Sequence, residues 1–150
     1  MTNQQTPISF REKSAWISLI LLCAFGAIYL WNFVRILEDR PAFNDIYLFF
    51  ALVVALVIAE VVLHLAIAIR SPKEARTPKD ERERLIDLKA TRAAFYVLMV
   101  GAFASIGTVH LRLRDRGDHT FVMMHCVFLS LVVAEVVKFG TQIALYRRDA

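Results

Sequence analysis

Four long apolar runs dominate the chain, over residues 15–36, 46–69, 93–111 and 121–146. Charged residues fall almost entirely between these runs, whereas a soluble domain alternates polar and apolar residues at period 3.6 or 2. Each run has roughly the 20 residues that a helix needs to cross a hydrocarbon core of about 30 Å. In lipid every backbone polar group needs an internal partner, so the runs predict helices. We therefore predict an all-α, polytopic four-transmembrane-helix bundle that forms a single membrane domain over residues 1–150, with a loop over residues 70–92.

The distribution of basic residues gives this bundle an orientation. Twelve Lys and Arg residues lie beside the two ends of the chain or in the 70–92 loop, and five lie on the opposite side. Because basic residues concentrate in cytoplasmic loops, this asymmetry predicts cytoplasmic N and C termini in a bacterial inner (plasma) membrane. Aromatic residues near the helix ends fit interfacial belts, with Trp16, Tyr96 and Tyr146 on the cytoplasmic side and Tyr29, Trp31 and Tyr47 on the other.

Composition and motifs exclude several classes of function. Hydrophobic residues make up 57% of the 150 residues, charged residues 21%, and the net charge is +4. Membrane topology accounts for the positive charge, so we predict no nucleic-acid partner. Cys23 and Cys126, predicted in opposite leaflets, form neither a disulfide framework nor a zinc pattern. The sequence contains no phosphate-binding glycine loop, nucleophile elbow or zinc-protease motif, and we predict no enzymatic activity and no cofactor.

The loop before the third run carries a helix-start signal. Thr77 and Pro78 resemble an N-cap and a first helical residue, and Asp80 follows in the first turn. Residues 79–92 contain no helix breaker, so we predict a charged helix that continues into the third span. Its predicted contact surface for lipid or a partner protein comprises Arg82, Arg84, Leu85 and Leu88. The alternative is a solvated extension whose charge only sets the topology.

The second and fourth runs resemble each other. Residues 53–62 and 128–137 are identical at six of ten positions, and the identities include a glutamate, Glu60 and Glu135. Ionisable residues within membrane spans are rare, so the matched glutamate favours a repeat over similarity that comes from apolar residues alone. The pattern predicts two tandem helical hairpins related by a pseudo-twofold axis along the membrane normal. Convergence of apolar sequence is the alternative explanation.

Four ionisable residues within the spans form the candidate functional centre. Counted from the last charge of each span, Glu60 and Glu135 are expected near the membrane midplane, where a carboxylate either takes a proton or pairs with a cation. His64 lies one turn from Glu60, and Lys138 lies three residues from Glu135. If the pseudo-twofold axis holds, the four side chains share one buried site. This pattern favours a proton-, ion- or ligand-binding centre in a small transporter or sensor.

The sequence also allows two alternatives to a proton-, ion- or ligand-binding centre. The buried charges could act only as a polar clamp that fixes helix packing in a structural or interaction subunit. A b-type haem protein is the third hypothesis, because His110 and His125 could approach each other at one depth and supply two axial imidazoles. No further ligand spacing completes a metal set around these histidines.

Two short segments carry a resemblance to a known group of proteins. Residues 10–16 (FREKSAW) precede the first span, and residues 80–86 (DERERLI) precede the third. In these segments and in its overall layout the chain resembles a group of small four-span inner-membrane proteins of bacteria. The resemblance implies a sensory or regulatory role, with a cytoplasmic regulatory protein as partner. A homodimer is the other association that we expect, and the lipid bilayer is the expected environment.

Overall fold

The protein folds into four long helices. A computed structural model describes residues 10–38, 43–70, 72, 77–112 and 119–148. The helices are α1 (Phe10–Glu38), α2 (Phe43–Arg70), α3 (Glu81–Arg112) and α4 (His119–Arg148). Each contains a stretch long and apolar enough to cross a membrane, and the described residues contain no strand. The predicted all-α, four-span fold is thereby confirmed.

The helices pack in the order α2, α1, α4, α3. The α3–α4 contact is the most extensive, α1–α4 follows, and α1–α2 is smaller. No comparable contact joins α2 with α3 within the described ranges. A twofold axis that exchanges α1 with α3 and α2 with α4 would turn the α1–α4 contact into an α2–α3 contact. The helix packing therefore departs from the symmetry that the sequence repeat predicts.

Small residues let α3 and α4 approach closely. A Cβ atom on Gly101 would lie 2.7 Å from the Cβ and Oγ atoms of Ser130, so only glycine fits there. The Ser105 and Ser130 hydroxyls lie 3.2 Å apart across the same contact. Close approach through small residues and hydroxyl hydrogen bonds is a common way to pack helices in membranes, where lipid provides no hydrophobic drive for association.

Aromatic side chains fill the opposite half of the bundle. Phe25 and Tyr29 of α1 and Val132 of α4 form its buried centre, and α2 packs Phe49 against it. The rings of Phe49 and Phe128 meet edge to face at 4.9 Å between centroids, a favourable geometry for aromatic pairs. This cluster connects α2 with the rest of the bundle at the end away from Arg70.

The start of α3 differs from the sequence expectation. Asp80 Oδ1 accepts a hydrogen bond from the backbone N–H of Glu83 (2.9 Å), and Glu83 Oε2 accepts one from the N–H of Asp80 (3.1 Å). This reciprocal pair is a capping box with Asp80 as the N-cap. The prediction that Thr77 caps the helix is wrong by three residues, since the box that forms is Asp80-x-x-Glu83. From Glu81 the helix runs without a break to Arg112, as predicted for the charged extension.

Candidate functional site

A hydrogen-bonded cluster joins α1 to α2 through two of the predicted residues. Ser18 of α1, only 1% exposed, donates to Glu60 Oε2 at 3.1 Å and lies 3.4 Å from His64 Nε2. His64 Nδ1 lies 2.8 Å from the Glu60 carbonyl oxygen and 3.2 Å from Glu60 Oε2. The helical spacing of four residues stacks His64 on Glu60, and Ser18 closes the cluster from the neighbouring helix.

The two ring nitrogens of His64 face different hydrogen-bond partners. Both groups that face Nδ1 are acceptors, so Nδ1 carries a proton. Ser18 has a single hydroxyl proton, which it donates to Glu60, and its oxygen is then left to accept from Nε2. Nε2 faces the Ser18 oxygen at 3.4 Å, and a hydrogen bond between the two atoms requires a donor hydrogen on Nε2 while the Ser18 hydroxyl donates to Glu60.

Glu135 and Lys138 form a separate pair on α4. Lys138 Nζ donates to Glu135 Oε2 at 2.9 Å, and the ammonium also lies 5.2 Å from the centre of the Phe139 ring. Among the described residues, no hydrogen bond or ion pair joins Glu60 or His64 to either of these residues. The four predicted residues therefore form two polar pairs on different helices.

The contacts relate the heights of these residues along the bundle. Ser18 lies two residues after Trp16, so its hydrogen bond places Glu60 near the height of Trp16. Glu60 also lies in the middle of the candidate span Phe49–Arg70. Val132 abuts Gly26 of α1, which places Glu135 roughly 8 Å deeper than Ser18 at a rise of 1.5 Å per residue.

His125 lies in a cluster of aromatic side chains from α1 and α2. It is 2% exposed, its Nδ1 is hydrogen-bonded to the Tyr29 hydroxyl, and its ring packs against those of Tyr29, Phe33 and Phe49. A haem group bound to His125 would have to fit among these rings. The side chain of His110, the other predicted ligand, lies outside the described part of the chain, and the described residues contain no group of three metal-ligating side chains.

The sequence did not predict the charged network at one end of the bundle. This charged end comprises the start of α1, the end of α2, the start of α3 and the end of α4. Arg11 Nε lies 3.0 Å from Glu83 Oε1, and its Nη2 donates to the Thr77 carbonyl at 2.9 Å. Arg147 of α4 lies 3.3 Å from Glu12 Oε1 and 5.1 Å from the centre of the Trp16 ring. The two sequence segments 10–16 and 80–86 thus contact each other, which their shared charge pattern could have suggested.

The same end has a half-open cavity of about 300 Å³ between α1, α3 and α4. Asp87, on its wall, pairs with Lys79 and accepts a hydrogen bond from Gln142 Nε2 at 3.0 Å. Arg11 and Tyr146 also line it. Because the charges on the wall are paired with each other or with Glu83, the cavity provides structural contacts between three helices and no vacant charge for a ligand.

The predicted contact surface on α3 is exposed. Leu85 and Leu88 are each more than half exposed, and Arg82 and Arg84 are exposed beside them, whereas Ile86 is buried against the bundle. The exposed apolar surface of Leu85 and Leu88 continues along α3 to Tyr96 and Phe103, which are exposed within the span. Amphipathic helices with this pattern lie at membrane surfaces or dock partner proteins, so both interpretations of the surface fit its geometry.

Comparison with known proteins relates the whole bundle to one family. Neither the curated proteins nor the solved structures contain a match to the chain. The family described as predicted membrane protein (DUF2178) matches residues 11–150, which include all four helices from the second residue of α1. The match agrees with four helices that are each able to span a membrane. The chain belongs to the DUF2178 family of membrane proteins.

Proposed function

We propose that the protein is a proton-responsive membrane protein, a sensor or small transporter, and that Ser18, Glu60 and His64 form its proton-binding site. The observation that carries the proposal is the contact of Ser18 Oγ with both Glu60 Oε2 and His64 Nε2. Histidine changes charge near physiological pH, and polar residues within membrane spans commonly mark proton and ion sites. The reaction is reversible proton binding and involves no enzymatic chemistry.

The position of the cluster supports access from the charged end. His64 and Glu60 are partly exposed, with side-chain exposures of 40% and 26%, and lie close to the level of Trp16. If the excess of basic residues marks the cytoplasmic side of a bacterial inner membrane, protons reach the cluster from the cytoplasm. The protein then responds to cytoplasmic pH or releases protons on that side.

The Arg11–Glu83 pair gives the cluster a physical connection to α3. Ser18 and Arg11 lie two turns apart on α1, and Arg11 contacts the first turn of α3. A change in α1 on protonation would act on the start of α3 through this pair. Arg82, Arg84, Leu85 and Leu88 lie in that same region and form the proposed surface for a cytoplasmic regulatory partner.

Trp16 provides a built-in reporter for this proposal. The Trp31→Phe variant leaves Trp16 as the single tryptophan of the chain, two residues from Ser18. In lipid nanodiscs we expect its fluorescence to change with a single transition between pH 5 and 9. The transition should disappear in Glu60→Gln and His64→Gln and persist in the matched controls Glu81→Gln and His119→Gln. Persistence in both cluster variants, with helix content unchanged by circular dichroism, rejects the proposal.

A structural role is the second candidate, and one observation favours it. Ser18 of α1 contacts Glu60 and His64 of α2 through its hydroxyl, and this helix contact is smaller than α1–α4 or α3–α4. A polar clamp there would fix which faces of the two helices meet. Loss of stability in Glu60→Gln without any pH-dependent change in wild type would select this role.

A further inference from the structure

Glu135 and Lys138 are too exposed for their depth in a membrane-spanning helix. Their side chains are 37% and 29% exposed, and Glu135 lies about 10 Å inside the level of Trp16 at 1.5 Å per residue. Charged groups within a membrane almost always face the interior of a bundle or a water-filled cavity, because exposure to lipid is costly. Their mutual ion pair reduces this cost and leaves the outward side of the pair uncovered.

The pair belongs to an exposed stripe that runs along α4. Met124, Val127 and Leu131 lie on the same face at spacings of three and four residues, and all three are exposed. Neighbouring faces of α4 are already used: Val132 packs against Phe25 and Tyr29 of α1, and Ser130 packs against Ser105 of α3. The stripe over residues 124–138 is about 21 Å long at the helical rise, enough to pack against one further membrane helix.

We propose that two copies of the chain associate through this stripe, with α4 packed against α4 of the second copy. Copies inserted with the same orientation are related by a twofold axis along the membrane normal, and the two α4 helices are then parallel. The spacing of three and four residues is the seam that parallel helices use to pack side by side.

The charges indicate that the partner of the α4 stripe is a second copy of the chain. In a twofold interface the same patch meets itself, so each residue contacts its counterpart or a neighbour of that counterpart. Glu135 and Lys138 differ by about 4.5 Å in depth, a distance that the long lysine side chain spans. Lys138 of each copy then reaches Glu135 of the other, and four alternating charges form a closed ring. A patch that carries one acid and one base in this arrangement is complementary to itself.

The dimer and the proton site depend on different residues. The stripe uses no residue of the Ser18–Glu60–His64 cluster, so the failure of either proposal leaves the other in place. The pH-dependent fluorescence of Trp16 reports on the cluster, whereas the number of chains per particle reports on the stripe.

Charge reversal tests the ring directly. Subunits are counted by single-molecule photobleaching of fluorescent fusions in liposomes, at a low protein-to-lipid ratio. Wild type is expected to give two bleaching steps. The Glu135→Lys chain carries only cations at the two positions and the Lys138→Glu chain only anions, so each alone is expected to be largely monomeric. Mixing the two variants should restore particles that contain one copy of each, and the double variant should form dimers as wild type does.

Recovery of dimers on mixing the two variants distinguishes loss of an interface contact from a folding defect. A variant that fails to fold cannot be restored by a second variant, so recovery of the mixed dimer requires contact across the interface. Leu131→Trp in the stripe should also reduce the dimer fraction at least tenfold. Val133→Trp, on the other exposed face of α4, should leave the fraction unchanged. Monomeric wild type, single variants that remain dimeric, or mixed variants that stay apart would overturn the proposal.

Discussion

Arg11, at the start of α1, lies 3.0 Å from Glu83, in the first turn of α3. The contact connects two segments that are 72 residues apart in the chain and that each precede a membrane span. Both side chains are about one-fifth exposed, so the ion pair is better shielded than a typical surface pair. Glu83 also completes the capping box of α3. One carboxylate therefore both starts a helix and positions its neighbour.

Removal of the Glu83 carboxylate is expected to weaken the charged end. Glu83→Ala loses the Arg11 pair and half of the capping box, and we expect a loss of about 1 to 2 kcal/mol in the free energy of unfolding. Unfolding in mixed micelles, followed by circular dichroism, measures this loss. Glu81→Ala is the matched control, since Glu81 is an exposed carboxylate in the same helical turn. Equal losses in the two variants would contradict the role assigned to Glu83.

Gly101 should be intolerant of a methyl group. Gly101→Ala places a Cβ atom 2.7 Å from Ser130, which forces α3 and α4 apart, and we expect destabilisation of about 1 to 3 kcal/mol. Gly107→Ala is a control on the same helix, because a Cβ there meets nothing within 4 Å. Alanine favours helix over glycine by about 1 kcal/mol, so this control should be neutral or stabilising. Thermal melting of the two variants in one lipid or detergent compares them directly.

Tyr29 and His125 form a buried polar pair whose loss should be measurable. Tyr29→Phe keeps the aromatic packing and removes the hydroxyl that bonds His125 Nδ1. Removal of one partner from a buried hydrogen bond costs about 1 to 3 kcal/mol, and we expect a loss of stability in that range. Tyr96→Phe is the matched control, since Tyr96 is exposed on α3. If Tyr29→Phe unfolds like the control, the hydrogen bond contributes nothing to the bundle.

Ser18→Ala should loosen the α1–α2 contact. The variant removes the hydroxyl that links α1 to Glu60 and His64 while preserving the apolar packing. Hydrogen bonds between membrane helices contribute about 0.6 kcal/mol on average and at most about 1.7, and we expect a loss within that range. Ser14→Ala, one turn earlier on α1, is the control. Unfolding in mixed micelles of lipid and a denaturing detergent measures the loss in the free energy of unfolding.

The number and type of the helices followed from the sequence because length and hydropathy alone determine which segments can span a bilayer. The order α2, α1, α4, α3 did not, because helix packing in lipid depends on close fits such as Gly101 against Ser130. Hydropathy does not describe how closely the side chains of two helices fit together. The repeat of Glu60 and Glu135 therefore predicted a symmetry that the helix contacts do not follow.

The candidate residues could be predicted because charge within an apolar run is rare. The hydrogen-bond partner on the neighbouring helix could not be predicted. Glu60 and His64 share a helix, so their contact follows from a spacing of four residues. Ser18 has no such signal: a serine within an apolar run occurs in many helices, and only the packing of α1 on α2 brings it to Glu60.

Proton binding by the Ser18–Glu60–His64 cluster is measured at the ring nitrogens of His64. The protein is labelled with ¹⁵N-histidine in lipid, and His64→Gln identifies the His64 signals. We expect Nδ1 to be protonated throughout, because it faces two acceptors of Glu60, and Nε2, which faces Ser18, to gain its proton as the pH is lowered from 9 to 5. A neutral ring protonated at Nε2, or signals that do not change across this range, would contradict proton binding at the Ser18–Glu60–His64 cluster.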